Sequence, residues 1–277
     1  MRCENIHLKE RFPFLGQDGR DPVLTAYLPY NMTEMQRQEQ KRPSILLCPG
    51  GAYRVVSQRE AEPIALHFLP EGFNVFVLTY SVKPHTFPAQ LQEVAAAMEL
   101  IYENADNWNT DTGRIAIMGF SAGGHLAAHY TNAYDCPQVR QVFPESKGVK
   151  ASILCYPVIC TAQQHCHKGS FMNVIGHDYP LRPEEEEMFS CDLLVSEGTP
   201  PAFLWHTAED GSVPVMNSLL YAQALARYKI PFALHIYPAG RHGLATVDEQ
   251  TNGELPPEVQ AAQAWLPALK QWLKNTL

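Results

Sequence analysis

The stretch that decides the fold is Arg114-Ile-Ala-Ile-Met-Gly-Phe-Ser-Ala-Gly-Gly-His-Leu-Ala-Ala128. Its first part is a run of β-branched and apolar residues, typical of a buried strand, and its last part begins a helix-like run. Between them lies Gly119-Phe-Ser-Ala-Gly123, a GxSxG motif in a strand, turn and helix context. A strand that passes directly into a helix is the building unit of a mainly parallel α/β sheet.

The same motif makes Ser121 a candidate nucleophile. Glycines two residues before and two after the serine leave space for a sharp turn, so the hydroxyl is expected to point out of the sheet. The N–H of Ala122, at the start of the following helix, is then a candidate donor to an oxyanion.

The rest of the chain repeats this alternation of strands and helices. Predicted strands cover residues 22–30, 44–48, 74–80, 114–119, 151–158, 202–207 and 232–237. Predicted helices cover residues 59–69, 89–109, 122–133, 216–228 and 257–274. In a sheet of this kind the loops at the carboxyl ends of the strands carry the chemistry.

A second informative loop, Pro49-Gly-Gly-Ala-Tyr53, follows the predicted strand 44–48. Consecutive glycines let backbone N–H groups approach a substrate oxygen, so Gly51 and Ala52 are candidate oxyanion donors, the alternative being a plain tight turn. Tyr53 and Arg59 are candidate substrate contacts. The sequence Ser57-Gln-Arg-Glu60 is interpreted as a capping box at the start of the next helix.

A serine nucleophile needs a base and an orienting carboxylate, in the chain order Ser, Asp or Glu, His. The loop after predicted strand 202–207 offers Glu209 and Asp210, and Asp210 is preferred because the adjacent Gly211 makes it the turn residue. The loop after predicted strand 232–237 places His242 beside a glycine. We therefore predict a Ser121, Asp210 and His242 triad.

Other histidines and cysteines are interpreted as structural. His206 and His235 lie inside predicted strands, and His125 lies in the helix behind Ser121, where packing is expected. Four further residues invite a zinc interpretation: Cys160, His165, Cys166 and His167. Their spacing argues against it, because no CxxC or HxxxH pair places ligands on one face, and no metal is predicted.

Composition limits the partners and the compartment. The chain has 277 residues, with 21 basic against 29 acidic residues and a net charge of −8, which does not favour nucleic acid or anionic membranes. The longest apolar run, residues 151–160, is too short to cross a bilayer. Seven cysteines without a CxxC pair and an N-terminus without an apolar leader predict a cytoplasmic protein without a disulfide framework.

Five motifs together resemble those of a known enzyme family. They are Cys48-Pro-Gly-Gly-Ala-Tyr53, Ser57-Gln-Arg-Glu60, Gly119-Phe-Ser-Ala-Gly-Gly-His-Leu126, His206-Thr-Ala-Glu-Asp-Gly-Ser-Val-Pro214 and Gly240-Arg-His-Gly-Leu244. Over about residues 20 to 275 the chain resembles bacterial α/β-hydrolase serine esterases of the acetyl xylan esterase and feruloyl esterase-like group. The resemblance implies an α/β-hydrolase fold and hydrolysis of small carboxylic esters, often acetyl groups on sugars. Many members of the wider class have His where this chain has Pro49, and a third glycine where it has Ala52.

The expected organisation is a single domain, residues 1–277, with residues 161–200 as a small lid, because this connection exceeds the usual βα loop. This segment is rich in charged residues, including Glu184 to Glu187, and so offers little apolar surface to a lipid interface. The expected partner is a small-molecule ester, with acetylated oligosaccharide as the favoured class, and no cofactor is needed. Tyr53 is expected to narrow the acyl side of the site.

Two rival functions remain open. A serine peptidase of the prolyl oligopeptidase type shares the triad order, but the chain carries no propeller repeat. A catalytically silent hydrolase fold would act as an interaction module, although no triad member is missing here. An epoxide hydrolase or dehalogenase would have Asp at the position of Ser121. The oligomeric state is not predicted.

Overall fold

One eight-stranded sheet organises the molecule, in the order β1-β2-β4-β3-β5-β6-β7-β8, in a computed structural model that describes residues 1–277. The strands are β1 Arg2–His7, β2 Val23–Leu28, β3 Arg42–Cys48, β4 Asn74–Thr79, β5 Thr110–Phe120, β6 Ala151–Cys155, β7 Ala202–Thr207 and β8 Phe232–Tyr237. β1 pairs antiparallel with β2 and β2 antiparallel with β4, while every other pairing is parallel. The predicted mainly parallel sheet is therefore confirmed.

Helices cover both faces of the sheet. They are α1 Leu8–Arg11, α2 Glu62–Phe68, α3 Ala89–Glu103, α4 Ala122–Ala133, α5 Pro137–Arg140, α6 Lys168–Ile175, α7 Pro183–Phe189, α8 Met216–Arg227, α9 Glu249–Asn252, α10 Pro257–Gln260 and α11 Trp265–Thr276. Short 3-10 turns occur at Pro13–Gly16, Thr33–Met35, Gln58–Glu60 and Ala261–Ala264. Each helix is too short or too polar to span a bilayer, and all seven cysteines are free thiols.

The core lies in two layers, one on each side of the sheet. One layer packs α3 and α4 against the sheet, and the other packs α2 and α11 against it. In the second layer the indoles of Trp205 and Trp265 stack with centroids 5.0 Å apart. Each fully buried large side chain of this kind contributes about 1.5–3 kcal/mol by leaving water, so the sheet is a rigid base for the loops at its carboxyl edge.

Two predicted helices are interrupted, and in both a proline lies near the new start. The predicted helix 59–69 is a 3-10 turn followed by α2, which has Pro63 in its first turn. The predicted helix 257–274 is α10, a 3-10 turn and then α11, with Pro267 in the first turn of α11. A proline lacks the N–H that a continuous helix needs, and it is tolerated in a first turn.

Strand β1 was not predicted from the pattern, and helix α3 is shorter than predicted. Strand β1 was missed because its burial alternates without an apolar run, and its edge position depends on pairing with β2. Helix α3 ends at Glu103, six residues before the predicted end at residue 109. Its capping residue Asn104 begins the turns that lead to β5.

Segment 161–200, the predicted lid, contains α6 and α7 and packs onto α4. The rings of Phe171 and Phe189 are buried and lie against the imidazole of His125, with centroids 5.2 Å and 6.3 Å apart. The side chain of Asn173 in α6 donates to the Ala52 carbonyl at 2.9 Å. The segment therefore contacts both the helix behind Ser121 and the loop after β3.

Candidate active site

Ser121 lies in a strained turn between β5 and α4. Its φ of 53° is in the left-handed region, which is costly for a residue other than glycine. The Ser121 N–H donates to the Cys155 carbonyl and the Ser121 carbonyl accepts from the Val158 N–H, both at 3.0 Å. A Cβ at Gly119 would lie 2.1 Å from the Gly123 oxygen, and one at Gly123 would lie 2.1 Å from the Cys48 oxygen. The two glycines therefore permit a close approach that no other residue allows.

Three side chains meet at this turn. The Oγ atom of Ser121 lies 2.7 Å from Nε2 of His242, and Nδ1 of His242 lies 2.6 Å from Oδ2 of Asp210. The serine, the histidine and the carboxylate come from the loops after β5, β8 and β7. The structure thus brings together all three residues that the chain order predicts as a triad.

Asp210 is buried and fully hydrogen-bonded. Its Oδ1 accepts the N–H groups of Ser212 and Val213 at 2.9 Å each, and its Oδ2 lies 3.3 Å from Nε2 of His206. Burial by itself raises the pKa of this carboxyl, but the hydrogen bonds from His206 and His242 outweigh it, so the pKa lies well below its usual range. The side chain is therefore an anion at neutral pH.

The alternative acid, Glu209, lies elsewhere. It is exposed, and its Oε2 accepts the Gly240 N–H at 3.2 Å. The structure places Asp210, and not Glu209, against His242.

The loop of residues 49–53, here called the oxyanion loop, runs beside Ser121. Gly51 has φ 125° and Ala52 has φ 55°, and neither N–H donates to a protein acceptor. The Pro49 carbonyl accepts the Tyr80 hydroxyl at 2.6 Å, so this loop has an anchor although it lacks the histidine of the wider class. With the Ala122 N–H at the start of α4, the free N–H groups are the ones predicted as oxyanion donors.

Tyr53 does not face the site, so its predicted role as a substrate contact is wrong. The residue is 1% exposed, and its hydroxyl lies 2.8 Å from Nδ1 of His125. His125 in turn contacts the Phe189 carbonyl through Nε2 at 2.9 Å. The left-handed φ of 55° at Tyr53 turns its side chain inward into the core. The sequence shows that Tyr53 is adjacent to the loop glycines, but not which way it points.

Arg59 is exposed at the rim of the site. Its Nη1 donates to the Thr251 carbonyl at 3.4 Å, and its Nη2 is 3.3 Å from where a Cβ at Gly243 would lie. Gly243 follows His242, so the guanidinium stands next to the histidine loop and stays a candidate for substrate contact.

The predicted capping box is absent. Ser57 makes no side-chain capping hydrogen bond, and Glu60 is 3% exposed and bonded to other parts of the chain. Its Oε2 accepts the Gly50 N–H at 2.8 Å, and its Oε1 accepts the Tyr156 hydroxyl at 2.7 Å. The capping interpretation of Glu60 is therefore wrong.

The four residues for which a zinc interpretation was weighed do not form a metal-binding cluster, and no group of three or more His, Cys, Asp or Glu side chains is arranged to hold a metal ion. His167 instead forms the N-cap of α6, where its Nδ1 accepts the Ser170 N–H at 3.3 Å. Burial lowers the pKa of His167, the charge of His242 lowers it further, and Asp210 opposes this. The charges of His242 and Asp210 therefore act on the His167 imidazole. The sequence around His167 gave no indication that it lies near these two residues.

A family model described as BD-FAE matches residues 30–225. The chain is 36% identical over 260 residues to endo-1,4-β-xylanase B of Butyrivibrio fibrisolvens, covering 89% of this chain and 38% of that protein. It is 32% identical over 235 residues to an acetylxylan esterase of Xylanibacter ruminicola, covering 83% of this chain and 45% of that protein. The chain thus spans less than half the length of these two relatives.

Solved structures match over nearly the whole chain. An acetyl ester-xyloside bifunctional hydrolase of Caldicellulosiruptor lactoaceticus has a TM-score of 0.83 and 33% identity, covering 99% of this chain and 96% of that one. A carboxylesterase of Lactobacillus plantarum has a TM-score of 0.82 and 28% identity, covering 99% and 98%. An α/β hydrolase from a Medee basin deep-sea metagenome library has a TM-score of 0.75 and 29% identity, covering 100% and 98%. These matches confirm the predicted fold class and the resemblance, and the chain belongs to the BD-FAE family.

Proposed function

We propose that this protein is a serine carboxylesterase that hydrolyses short-chain acyl esters through an acyl-enzyme, and that its substrates are acetylated carbohydrates of the xylan-oligosaccharide type. The observation that carries the proposal is the hydrogen-bonded chain from Ser121 through His242 to Asp210, with distances of 2.7 Å and 2.6 Å. A nucleophile, a base and an orienting carboxylate at such distances are the parts that serine acyl transfer requires.

In the first half of the reaction, Ser121 Oγ attacks the ester carbonyl carbon as its proton moves to Nε2 of His242. The carbonyl π electrons move to oxygen, and the resulting oxyanion accepts hydrogen bonds from the N–H groups of Gly51, Ala52 and Ala122. When the tetrahedral intermediate collapses, the alcohol leaves with the proton from Nε2 and the acyl group stays on Ser121.

Water completes the cycle by the same steps. It gives a proton to His242 as it attacks the acyl-enzyme, and collapse of the second intermediate returns the proton to Ser121 and releases the carboxylic acid. Asp210, held anionic by its hydrogen bonds, stabilises the imidazolium formed in each half and keeps Nδ1 protonated. No step needs a cofactor.

Two observations support an acetylated sugar as substrate. Relatives that cover most of this chain include an acetylxylan esterase and an acetyl ester-xyloside hydrolase. Beside the oxyanion loop, segment 161–200 has polar groups such as His167 and Asn173, and it buries the rings of Phe171 and Phe189. A polar rim of this kind suits the hydroxyl groups of a sugar better than it suits a lipid chain.

The test is acetate release from acetylated xylo-oligosaccharides, with Ser121→Ala as the matched variant. The substitution removes one hydroxyl, whose hydrogen-bond partner is the His242 imidazole, and adds no atoms at the turn, so the variant should fold like the wild type by circular dichroism. We expect it to retain less than about a thousandth of the wild-type rate, because loss of the nucleophile leaves only binding and the oxyanion donors.

Several outcomes would contradict the proposal. A Ser121→Ala variant with substantial activity would exclude the serine mechanism. Turnover of p-nitrophenyl acetate without acetate release from the sugars would exclude the carbohydrate substrate and leave a generic carboxylesterase. Cleavage of proline-containing anilides but not esters would favour the peptidase of prolyl oligopeptidase type.

A further inference from the structure

We propose that Glu60 is a positioning residue that holds the oxyanion loop and the histidine loop (residues 239–245) in their positions relative to Ser121. The inference rests on the proposed function, since it concerns the alignment of the groups that would stabilise the oxyanion.

Glu60 is a buried carboxylate without a cation. It is 3% exposed and forms no ion pair, while the guanidinium of the neighbouring Arg59 turns instead to the Thr251 carbonyl. Burying an unpaired charge is costly unless hydrogen bonds compensate for it. Both carboxylate oxygens are in fact used, one by the Gly50 N–H and the other by the Tyr156 hydroxyl. A carboxylate in this position therefore acts as a double acceptor.

The contacts of Glu60 join three separate loops. Gly50 belongs to the loop after β3, and Tyr156 follows the end of β6. The Tyr156 hydroxyl also accepts the Ala245 N–H at 3.0 Å, three residues after His242. The Tyr156 ring packs edge-on against the His242 imidazole, with centroids 5.1 Å apart. The chain of contacts thus runs from the oxyanion loop through Glu60 and Tyr156 to the histidine loop.

The carboxylate also lies close to the nucleophile. A Cβ at Gly50 would lie 2.6 Å from Oε2 of Glu60 and 3.0 Å from Cβ of Ser121, so the two side chains flank a single glycine. The peptide units after Gly50 carry the free N–H groups of Gly51 and Ala52, and fixing the Gly50 N–H fixes their direction. Misplacing such groups by about 1 Å costs roughly 10²-fold in rate.

Glutamine cannot replace this glutamate. Its side chain has the same shape but only one acceptor oxygen. If that oxygen accepts the Gly50 N–H, the NH₂ group faces the Tyr156 hydroxyl, which can accept from it but then has no acceptor for its own proton. The Glu60→Gln variant therefore disturbs the positions of the two loops, while the volume of the side chain at residue 60 stays the same.

The experiment measures kcat, KM and the affinity for a short alkyl trifluoromethyl ketone, which adds Ser121 Oγ to form a tetrahedral alkoxide. For Glu60→Gln we expect kcat to fall by about 10- to 100-fold with KM within about twofold, as for partial loss of oxyanion stabilisation. The affinity for the ketone should fall by the same factor as kcat/KM, and the acid limb of the pH–rate profile should not move. The matched control is Glu62→Gln, an exposed residue two positions away, which should behave as wild type.

Tyr156→Phe is a second variant, which keeps the ring against His242 and removes only the hydroxyl. It should reproduce the fall in kcat and in ketone affinity, and the double variant should lose less than the product of the two single losses, because the two side chains act as one unit. Thermal unfolding checks the fold of each variant, and if Glu60→Gln does not fold, Tyr156→Phe decides the question.

Two results would overturn the proposal. One is wild-type kcat and ketone affinity in Glu60→Gln. The other is a lower kcat with unchanged ketone affinity and a shifted acid limb of the pH–rate profile. That result would mean that Glu60 acts on the protonation of His242 and not on the position of the loops. Both differ from failure of the proposed function, which would appear as activity in Ser121→Ala.

Discussion

Asp210 shows at the scale of one residue how the site is organised. Its two oxygens have different partners, since Oδ1 accepts the N–H groups of Ser212 and Val213 and Oδ2 faces His242 and His206. The two N–H donors fix the identity of the atom at the Oδ1 position, because only an oxygen can accept from them. The side chain is therefore oriented before His242 makes its contact.

This orientation predicts a severe defect in Asp210→Asn. The Asn oxygen should take the Oδ1 position, which turns the NH₂ group towards Nδ1 of His242 and forces the imidazole proton onto Nε2. His242 could then not accept the Ser121 proton, and kcat should fall by about four orders of magnitude. Steady-state kinetics with p-nitrophenyl acetate measures the loss.

Glu209→Gln is the matched control for this variant. Its oxygen can still accept the Gly240 N–H, so we expect kcat within about twofold of wild type. A larger loss in Glu209→Gln than in Asp210→Asn would assign the triad acid to Glu209.

The sequence was sufficient to predict which three side chains the structure brings together at the turn after β5. Ser121, Asp210 and His242 each follow a predicted strand, and their order in the chain restricts the choice. Glu60 and Tyr53 were misassigned for a common reason, which is that their direction depends on tertiary burial. A left-handed φ at Tyr53 and a 3-10 turn at Glu60 send both side chains inward, and neither feature has a local sequence signal.

At the scale of elements, helix α4 connects the site to segment 161–200. His125 in α4 contacts the Tyr53 hydroxyl on one side and the Phe189 carbonyl on the other. Burial lowers the pKa of His125 to about 4, and burial and then the charge of His125 lower the pKa of His129, one helical turn later, to about 3. Both imidazoles are therefore neutral in the folded protein at neutral pH.

These two histidines predict that stability falls in mild acid. The ordinary pKa is 6.5, so below this pH the unfolded chain binds protons that the folded protein does not. The free energy of unfolding therefore decreases as the pH falls from about 6.5 towards the folded-state values. For His125 alone the loss reaches on the order of 2 kcal/mol at pH 5.

The measurement is urea unfolding at pH 7.5 and pH 5 for wild type and His125→Gln. Glutamine can accept from Tyr53 and donate to Phe189, but it has no proton to gain, so its stability should fall by about 2 kcal/mol less than that of wild type. His165→Gln, in a half-buried residue whose side chain makes no hydrogen bond, is the control and should follow wild type. Equal pH dependence in all three proteins would contradict the prediction.

Elements could be predicted where the local pattern of apolar and β-branched residues is clear. The predicted strands 202–207 and 232–237 match β7 and β8, and the predicted helix 122–133 matches α4. Helices α6 and α7 were not predicted within segment 161–200, where only a lid was expected. Both helices are short, with eight and seven residues, and their N-cap residues are His167 and Arg182, which are not among the residue types that mark a helix start in a sequence.

At the scale of the whole molecule, the strand order explains why distant residues meet. Strands β3, β5, β6, β7 and β8 are successive parallel neighbours, so the loops at their carboxyl ends lie along one edge of the sheet. The oxyanion loop, Ser121, Tyr156, Asp210 and His242 follow these five strands in turn. Alternating elements in the sequence predict a parallel sheet, but not the position of β4 between β2 and β3, which depends on pairing between strands far apart in the chain.

The distribution of apolar surface over the molecule predicts a preference for short acyl chains. Each methylene that leaves water contributes about 0.8 kcal/mol, provided that it finds an apolar wall. In segment 161–200 Leu193 is the one exposed large apolar side chain, since Phe171 and Phe189 are buried against α4. An open apolar groove of about 660 Å³ lies along α8 and is lined by Leu193 and Leu220, and none of its lining residues belongs to the loops of the site.

A series of p-nitrophenyl esters from acetate to decanoate tests this preference. We expect kcat/KM to be highest between acetate and butyrate and not to rise for longer chains, because methylenes beyond butyrate find no apolar wall and do not supply the roughly fourfold gain each that a lipase trough would give. Ser121→Ala measured in parallel corrects for spontaneous hydrolysis, which is fastest for the acetate ester. A maximum at octanoate or longer would mean that the buried aromatic rings of segment 161–200 become exposed to substrate, and it would contradict the short-acyl preference.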